Sequence, residues 1–89
     1  MTYKINILEN ANEDLNYLRR NDKNSYIKVF DFIREMMIDP RSGTGKPERL
    51  KYFEKEVYSR RVNHKDRLVY TIYEVDKMVD ISSARGHYE

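Results

Sequence analysis

An α+β fold, with two helices on one face of an antiparallel sheet, is predicted by three features of this chain. The N-terminal half carries apolar residues at helical spacing twice over, at Ala11, Leu15 and Leu18 and again at Tyr26, Phe30, Ile33 and Met37. The C-terminal half is a succession of β-prone runs. Short polar turns separate those runs, and strands joined this way are antiparallel neighbours. The order is β-α-α-β-β-β. The 89 residues show no repeat, low-complexity stretch or linker and read as a single domain over 1–89.

Tyr3-Lys4-Ile5-Asn6-Ile7 alternates with period two and reads as a short strand. Asn10, with Glu13 three residues on, has the form of a capping box and is expected to start the first helix. Asn21-Asp22 interrupts the pattern. In the second helix Ile27 and Met36 widen the apolar stripe, and the Tyr26, Phe30, Ile33 and Met37 set is expected in the core. Asp39-Pro40 ends that helix, because proline disfavours helical geometry in the residue before it. Residues 39–49 hold both prolines and two of the three glycines and are predicted to be a loop. Residues 56–62 form a strand, Asn63-His64-Lys65 a turn, and Arg67 to Tyr73 a strongly β-prone strand. Glu74-Val75-Asp76-Lys77 is a second turn, and Met78 to Arg85 the last strand. Leu68, Tyr70 and Ile72 then face the helices. Arg67, Val69, Thr71 and Tyr73 face the other, open side.

With no cysteine, neither disulfides nor thiolate metal sites hold the chain together. No apolar run is long enough for a membrane span. Met1-Thr2-Tyr3-Lys4 leads into alternating residues rather than the apolar core of a signal peptide, so a cytoplasmic location is expected. The formal charge of +2 conceals an asymmetry: residues 1–40 balance to −1, while residues 41–70 balance to +5. A basic patch with interleaved tyrosines suits a polyanion such as RNA.

RNA can be cut without metal or cofactor, because its 2′-OH can attack the adjacent phosphorus. A protein assists by taking the 2′-OH proton, protonating the leaving 5′-oxygen and neutralising charge on the phosphate. Glu48, between Lys46 and the Arg49–Lys51 pair, is the candidate base. His87, one of two histidines, is the candidate acid. Arg67 opens a strand on the open face. Lys46 and Lys51 can hold phosphates as point charges, and Tyr88 can stack on a base. His64, in a polar turn, reads as exposed. Register leaves the partner of Arg67 open. A turn of residues 63–65 pairs Arg61 with Arg67, whereas a turn of residues 63–66 puts Arg60 on the Arg67 face. Each group alone has an ordinary reading as surface charge or chain end. Zinc chemistry, a phosphate-binding glycine loop and a serine nucleophile elbow find no support.

The segments Gly43-Thr44-Gly45-Lys46-Pro47-Glu48-Arg49-Leu50-Lys51, Tyr58-Ser59-Arg60-Arg61-Val62-Asn63, Arg67-Leu68-Val69-Tyr70 and His87-Tyr88, in this order, resemble the YoeB/Txe toxins of the RelE superfamily. The resemblance implies the RelE-like fold and a ribosome-dependent endoribonuclease of a type II toxin–antitoxin system, cleaving mRNA in the decoding site. It implies Glu48 as general base, His87 as general acid and Arg67 as stabiliser of the transition-state phosphate. Arg61 and Lys51 would support the phosphate, Lys46 would hold RNA, and Tyr88 would position it. The resemblance favours Arg61 over Arg60 on the active face. It further implies a YefM/Axe-like antitoxin, the ribosome and mRNA as partners, and a homodimer; the 2′-OH chemistry itself leads to the expectation of no cofactor. The alternative is a weakly active or inactive module that binds an antitoxin or ribosome through its basic face. Two residues depart from the family pattern. Glu89 follows the tyrosine that often ends these chains, and Asp66 stands where many relatives have histidine.

Overall fold

Alternating burial along the C-terminal half builds a sheet with one face against helices. The computed structural model describes residues 2–86. In order these form β1 (Lys4–Ile7), α1 (Glu9–Asn21), α2 (Lys23–Ile38), β2 (Glu48–Arg49), β3 (Glu56–Arg61), β4 (Arg67–Tyr73) and β5 (Met78–Ser83). The five strands make one sheet in the order β1-β5-β4-β3-β2. The expected α+β architecture is present, with two additions. β1 pairs with β5 in parallel, Ile5 opposite Val79. Within the segment expected to be all loop, Glu48 and Arg49 form β2 against Ser59 and Tyr58.

Ala11, Leu15 and Leu18 of α1 are buried, as their spacing requires. The start of that helix differs from expectation. It begins at Glu9, after Leu8, with no side-chain cap, and the Asn10 amide instead reaches the Ser82 carbonyl at 3.4 Å. The reason is the parallel pairing. The Leu8 N–H bonds the Ile81 carbonyl at 3.0 Å, so the chain passes from β1 into α1 with no room for a separate capping residue.

In α2 the inward stripe is Ser25, Val29, Phe32 and Met36. That is one residue earlier than the expected Tyr26, Phe30, Ile33 and Met37 stripe. Tyr26, Phe30 and Ile33 are half-buried flankers of the core, while Met37 and Ile27 are exposed. A polar residue, Ser25, hides the true stripe from a hydrophobicity pattern. Its hydroxyl is satisfied by Asp22 at 2.6 Å and by the Asn63 amide at 2.9 Å, which lets it be buried. Against these helices pack Leu68, Tyr70 and Ile72 of β4 with Val79 and Ile81 of β5.

β5 ends at Ser83, two residues before the expected limit. A bulge lies just before its end: Val69 is opposite Ser83 while Tyr70 is opposite Ile81. The extra residue, Ser82, bonds the Val69 carbonyl through its hydroxyl at 3.1 Å. Such a bulge keeps the residues before it in register while re-aiming the chain after it.

Candidate RNA-binding and catalytic face

Strand parity decides which basic residues share a face. Arg61 is opposite Arg67, and Arg60 is opposite the core residue Leu68. Of the two registers, the structure therefore has the one that pairs Arg61 with Arg67. Glu48, opposite Ser59 on the adjoining β2, is on the same face. The Arg67 guanidinium lies 3.8 Å from the Glu48 carboxylate and 3.4 Å from the Ser59 hydroxyl. With the Glu48 side chain 65% exposed, this ion pair is too open to contribute much to stability. Both groups are accessible to a ligand.

Arg60, with no exposed surface, has a different task. Its Nε donates to the Tyr70 hydroxyl at 3.0 Å. Its Nη1 donates to Glu35 at 2.7 Å and to the Thr44 carbonyl at 3.2 Å. Its Nη2 donates to the Pro40 and Ser42 carbonyls at 3.3 and 2.7 Å. One guanidinium thus grips three carbonyls of the loop that leads to Glu48. Glu35 completes the grip by accepting the Thr44 N–H and hydroxyl. Burial opposes ionisation of Glu35, but these Thr44 hydrogen bonds and the Arg60 charge outweigh it and hold its carboxyl below the usual range. Gly45 then passes close under α2 at φ 80°, where an added Cβ would sit 2.5 Å from the Phe32 ring. Its carbonyl accepts the Arg61 N–H at 2.7 Å. Lys46 follows with φ 53°, exposed. This role for Arg60 has no signature in the sequence beyond its being one residue away from the open-face Arg61.

The residues after β5 are held one by one. The Ala84 N–H bonds Asp14 at 2.9 Å, and the Arg85 guanidinium lies 3.5 Å from the centre of the Tyr17 ring. The Gly86 N–H bonds the Asp66 carboxylate at 2.9 Å, and the Gly86 carbonyl accepts the Arg67 N–H at 2.7 Å. Asp66 is buried and its other oxygen accepts from the Asn63 amide at 3.0 Å. It therefore ties the β3–β4 turn to the chain immediately before His87. His87 and Tyr88, the candidate acid and positioning residue, lie outside the described residues, as does Glu89.

Of the remaining candidates, Lys51 and Arg61 are exposed, and His64 is exposed in its turn. Val57 and Val69 on the open face are nevertheless buried. Segment 52–55 lines the same depression and narrows the open face on that side. At the far end of the sheet a second charged cluster is structural. Arg41 donates to Glu56 at 2.6 and 3.0 Å, to Glu74 at 2.9 Å and to the Tyr3 hydroxyl at 3.3 Å. Hydrogen bonds from Lys77, Tyr3 and Arg41 hold the Glu74 carboxyl down at about 2.

Residues 8–88 match the family described as YoeB-like toxin of bacterial type II toxin-antitoxin system. Toxin YoeB of Synechocystis is 38% identical over 86 residues, covering 97% of this chain and 98% of that one. Toxin YoeB of Escherichia coli K12 is 34% identical over 80 residues, covering 90% and 93%. The YoeB dimer from Staphylococcus aureus superposes with a TM-score of 0.85 at 34% identity, over 99% of this chain and 100% of that one. The YoeB/ParE toxin from Agrobacterium tumefaciens gives 0.87 at 29% identity, over 96% and 99%. The archaeal RelE of a RelE–RelB complex from Pyrococcus horikoshii, at 20% identity and a TM-score of 0.74, shares the fold.

Proposed function

Because this chain belongs to the YoeB-like toxins of bacterial type II toxin–antitoxin systems, we propose that it arrests translation by cutting mRNA in the ribosomal decoding site. One observation carries the reading. Glu48 and Arg67 meet on one open face, and the Arg67 backbone holds Gly86, the residue before His87. In this scheme the Glu48 carboxylate takes the 2′-OH proton as O2′ bonds to phosphorus. The P–O5′ bond breaks, and His87 gives its proton to the leaving O5′. The products are a 2′,3′-cyclic phosphate and a 5′-hydroxyl, with no metal or cofactor entering the balance. Arg67 and Arg61, opposite each other, neutralise the charge that builds on the phosphate oxygens. Lys46 and Lys51 hold the flanking RNA, and Tyr88 orients it. The openness of the Glu48–Arg67 pair favours this role, since a phosphate can take the guanidinium without breaking a structural bond.

A YefM-like antitoxin covering this face accounts for control of the toxin. The solved YoeB–YefM complexes from Staphylococcus aureus motivate that partner. Self-association is motivated in the same way by the dimer from that organism. The site of action places the protein in the cytoplasm.

The test is induction in a bacterial host followed by mapping of mRNA ends. Wild type should arrest growth and generate new ends within codons. Glu48→Gln and His87→Gln should each lower cleavage by about 10²–10⁴-fold, and Arg67→Ala by about 10²–10³-fold. A folded Glu48→Gln/His87→Gln double variant that cleaves like wild type would refute the assignment. Translation blocked with mRNA intact would instead point to the binding module.

A further inference from the structure

Two adjacent aromatic residues outside the proposed catalytic set stand beside it. Tyr52 is 90% exposed and Phe53 is 43% exposed, both in the segment between β2 and β3. Single exposed apolar side chains are common and need no explanation. This pair is distinguished by its position. Tyr52 and Phe53 line a cleft of ≈ 290 Å³ whose other walls include Glu48, Lys51 and Arg67. Whatever fills that cleft therefore sits against the groups assigned to the reacting phosphate.

We infer that the Tyr52–Phe53 cleft receives a base of the mRNA, from a nucleotide flanking the scissile phosphate, and that the Tyr52 ring stacks on it. This rests on the reading of the open face as an RNA-cleaving site and adds a binding determinant to it. Cleavage by the 2′-OH needs the attacking oxygen, phosphorus and leaving oxygen in line. Stacked bases in a regular strand do not offer that geometry, so the nucleotides at the cut must be unstacked and held apart. An aromatic face replaces the lost base–base stacking, while nearby cations hold the backbone; that combination is how single strands are bound. Here the cations are Arg49, Lys51 and Arg67, all on the same cleft. The charge fits a phosphodiester chain, and the apolar ring surface fits a base. Because Tyr52 is so exposed, its ring can be removed with little effect on the fold.

The test is single-turnover cleavage of a defined mRNA on purified ribosomes, with toxin below saturation. Tyr52→Ala should slow cleavage about tenfold, in line with the loss of one base–aromatic stack. Tyr52→Phe, which keeps the ring, should restore the rate. The thermal midpoint of both variants should match wild type. The same mRNA is then made with an abasic residue on either side of the cut, each retaining its 2′-OH. At one of these positions wild type and Tyr52→Ala should converge, because the ring has lost its partner. If Tyr52→Ala cleaves like wild type while Glu48→Gln is inactive, the inference fails and the catalytic reading stands. If the tenfold defect persists at both abasic positions, the ring contacts ribosomal RNA or protein and the assignment to mRNA is overturned. A wild-type protein that leaves ribosome-bound mRNA intact overturns both readings. Loss of affinity for an antitoxin with no change in cleavage would show that the cleft belongs to that partner instead.

Discussion

The buried guanidinium of Arg60 has five N–H groups, and each finds an acceptor among Tyr70, Glu35 and the carbonyls of Pro40, Ser42 and Thr44. Full satisfaction is the condition under which such a charge can be buried. Arg60→Ala should therefore cost about 3–5 kcal/mol, the usual cost of removing one partner from a buried pair, measured by urea unfolding. It should also loosen the loop ahead of Glu48. Arg61→Ala, at an exposed position on the facing side, should change stability by no more than about 0.5 kcal/mol while weakening activity. Gly45→Ala combines a left-handed backbone with a collision at Phe32 and should lower stability by about 1–3 kcal/mol. Between the adjacent arginines only register distinguishes the structural clamp, Arg60, from the proposed phosphate ligand, Arg61. Turn length in a sequence does not specify register; only the family resemblance favours Arg61 there.

Helix and strand ends show what local pattern can and cannot specify. Asp22 caps α2, accepting the Ser25 N–H at 3.2 Å and its hydroxyl at 2.6 Å. Those hydrogen bonds hold its carboxyl below the usual range. Asp22→Ala should cost about 1 kcal/mol, seen as a lower urea midpoint. Asp66, one residue before β4, joins the β3–β4 turn to Gly86. In Asp66→Ala the Gly86 amide loses its acceptor, and its hydrogen exchange should accelerate while core amides of β4 keep most of their protection. Unchanged exchange would show that the Arg67–Gly86 bond alone holds the segment. The β3, β4 and β5 strands were legible because β-branched and aromatic runs alternate with polar turns. The α2 face was misread by one residue because two apolar stripes lie side by side and Ser25 sits in the inner one. β2, two residues long, has no period to detect. Strand parity alone put Arg67 on the open face, whereas Glu48, expected in a loop, stood out only by its basic neighbours and the family resemblance. Tyr52 was not, because its value lies in which cleft it reaches.

Across the whole molecule, carboxylates paired with cations tie the loop after α2, the sheet and α2 together. Glu35 and Glu56 ionise more readily in the fold than in the open chain, and Glu74 does so at about 2. An open-chain glutamate titrates near about 4.3. Depressed values add stability above that pH and lose it as pH falls toward the folded value. The thermal midpoint should thus be nearly flat above about pH 5 and fall steadily from about pH 4.5 toward pH 2. Glu74→Gln should reduce that fall. A wild-type midpoint that does not change over this window would contradict the role given to these pairs.

The parallel pairing of β1 with β5 has a consequence for timing. Lys4 meets Met78 across the sheet, so the first strand made on the ribosome has no seat until nearly the whole chain has been synthesised. Helices α1 and α2 likewise lack the β4–β5 surface that buries them until then. Contacts so distant in sequence form late. A nascent chain of this protein thus cannot complete its sheet, or the open face that the sheet carries, until synthesis is nearly finished.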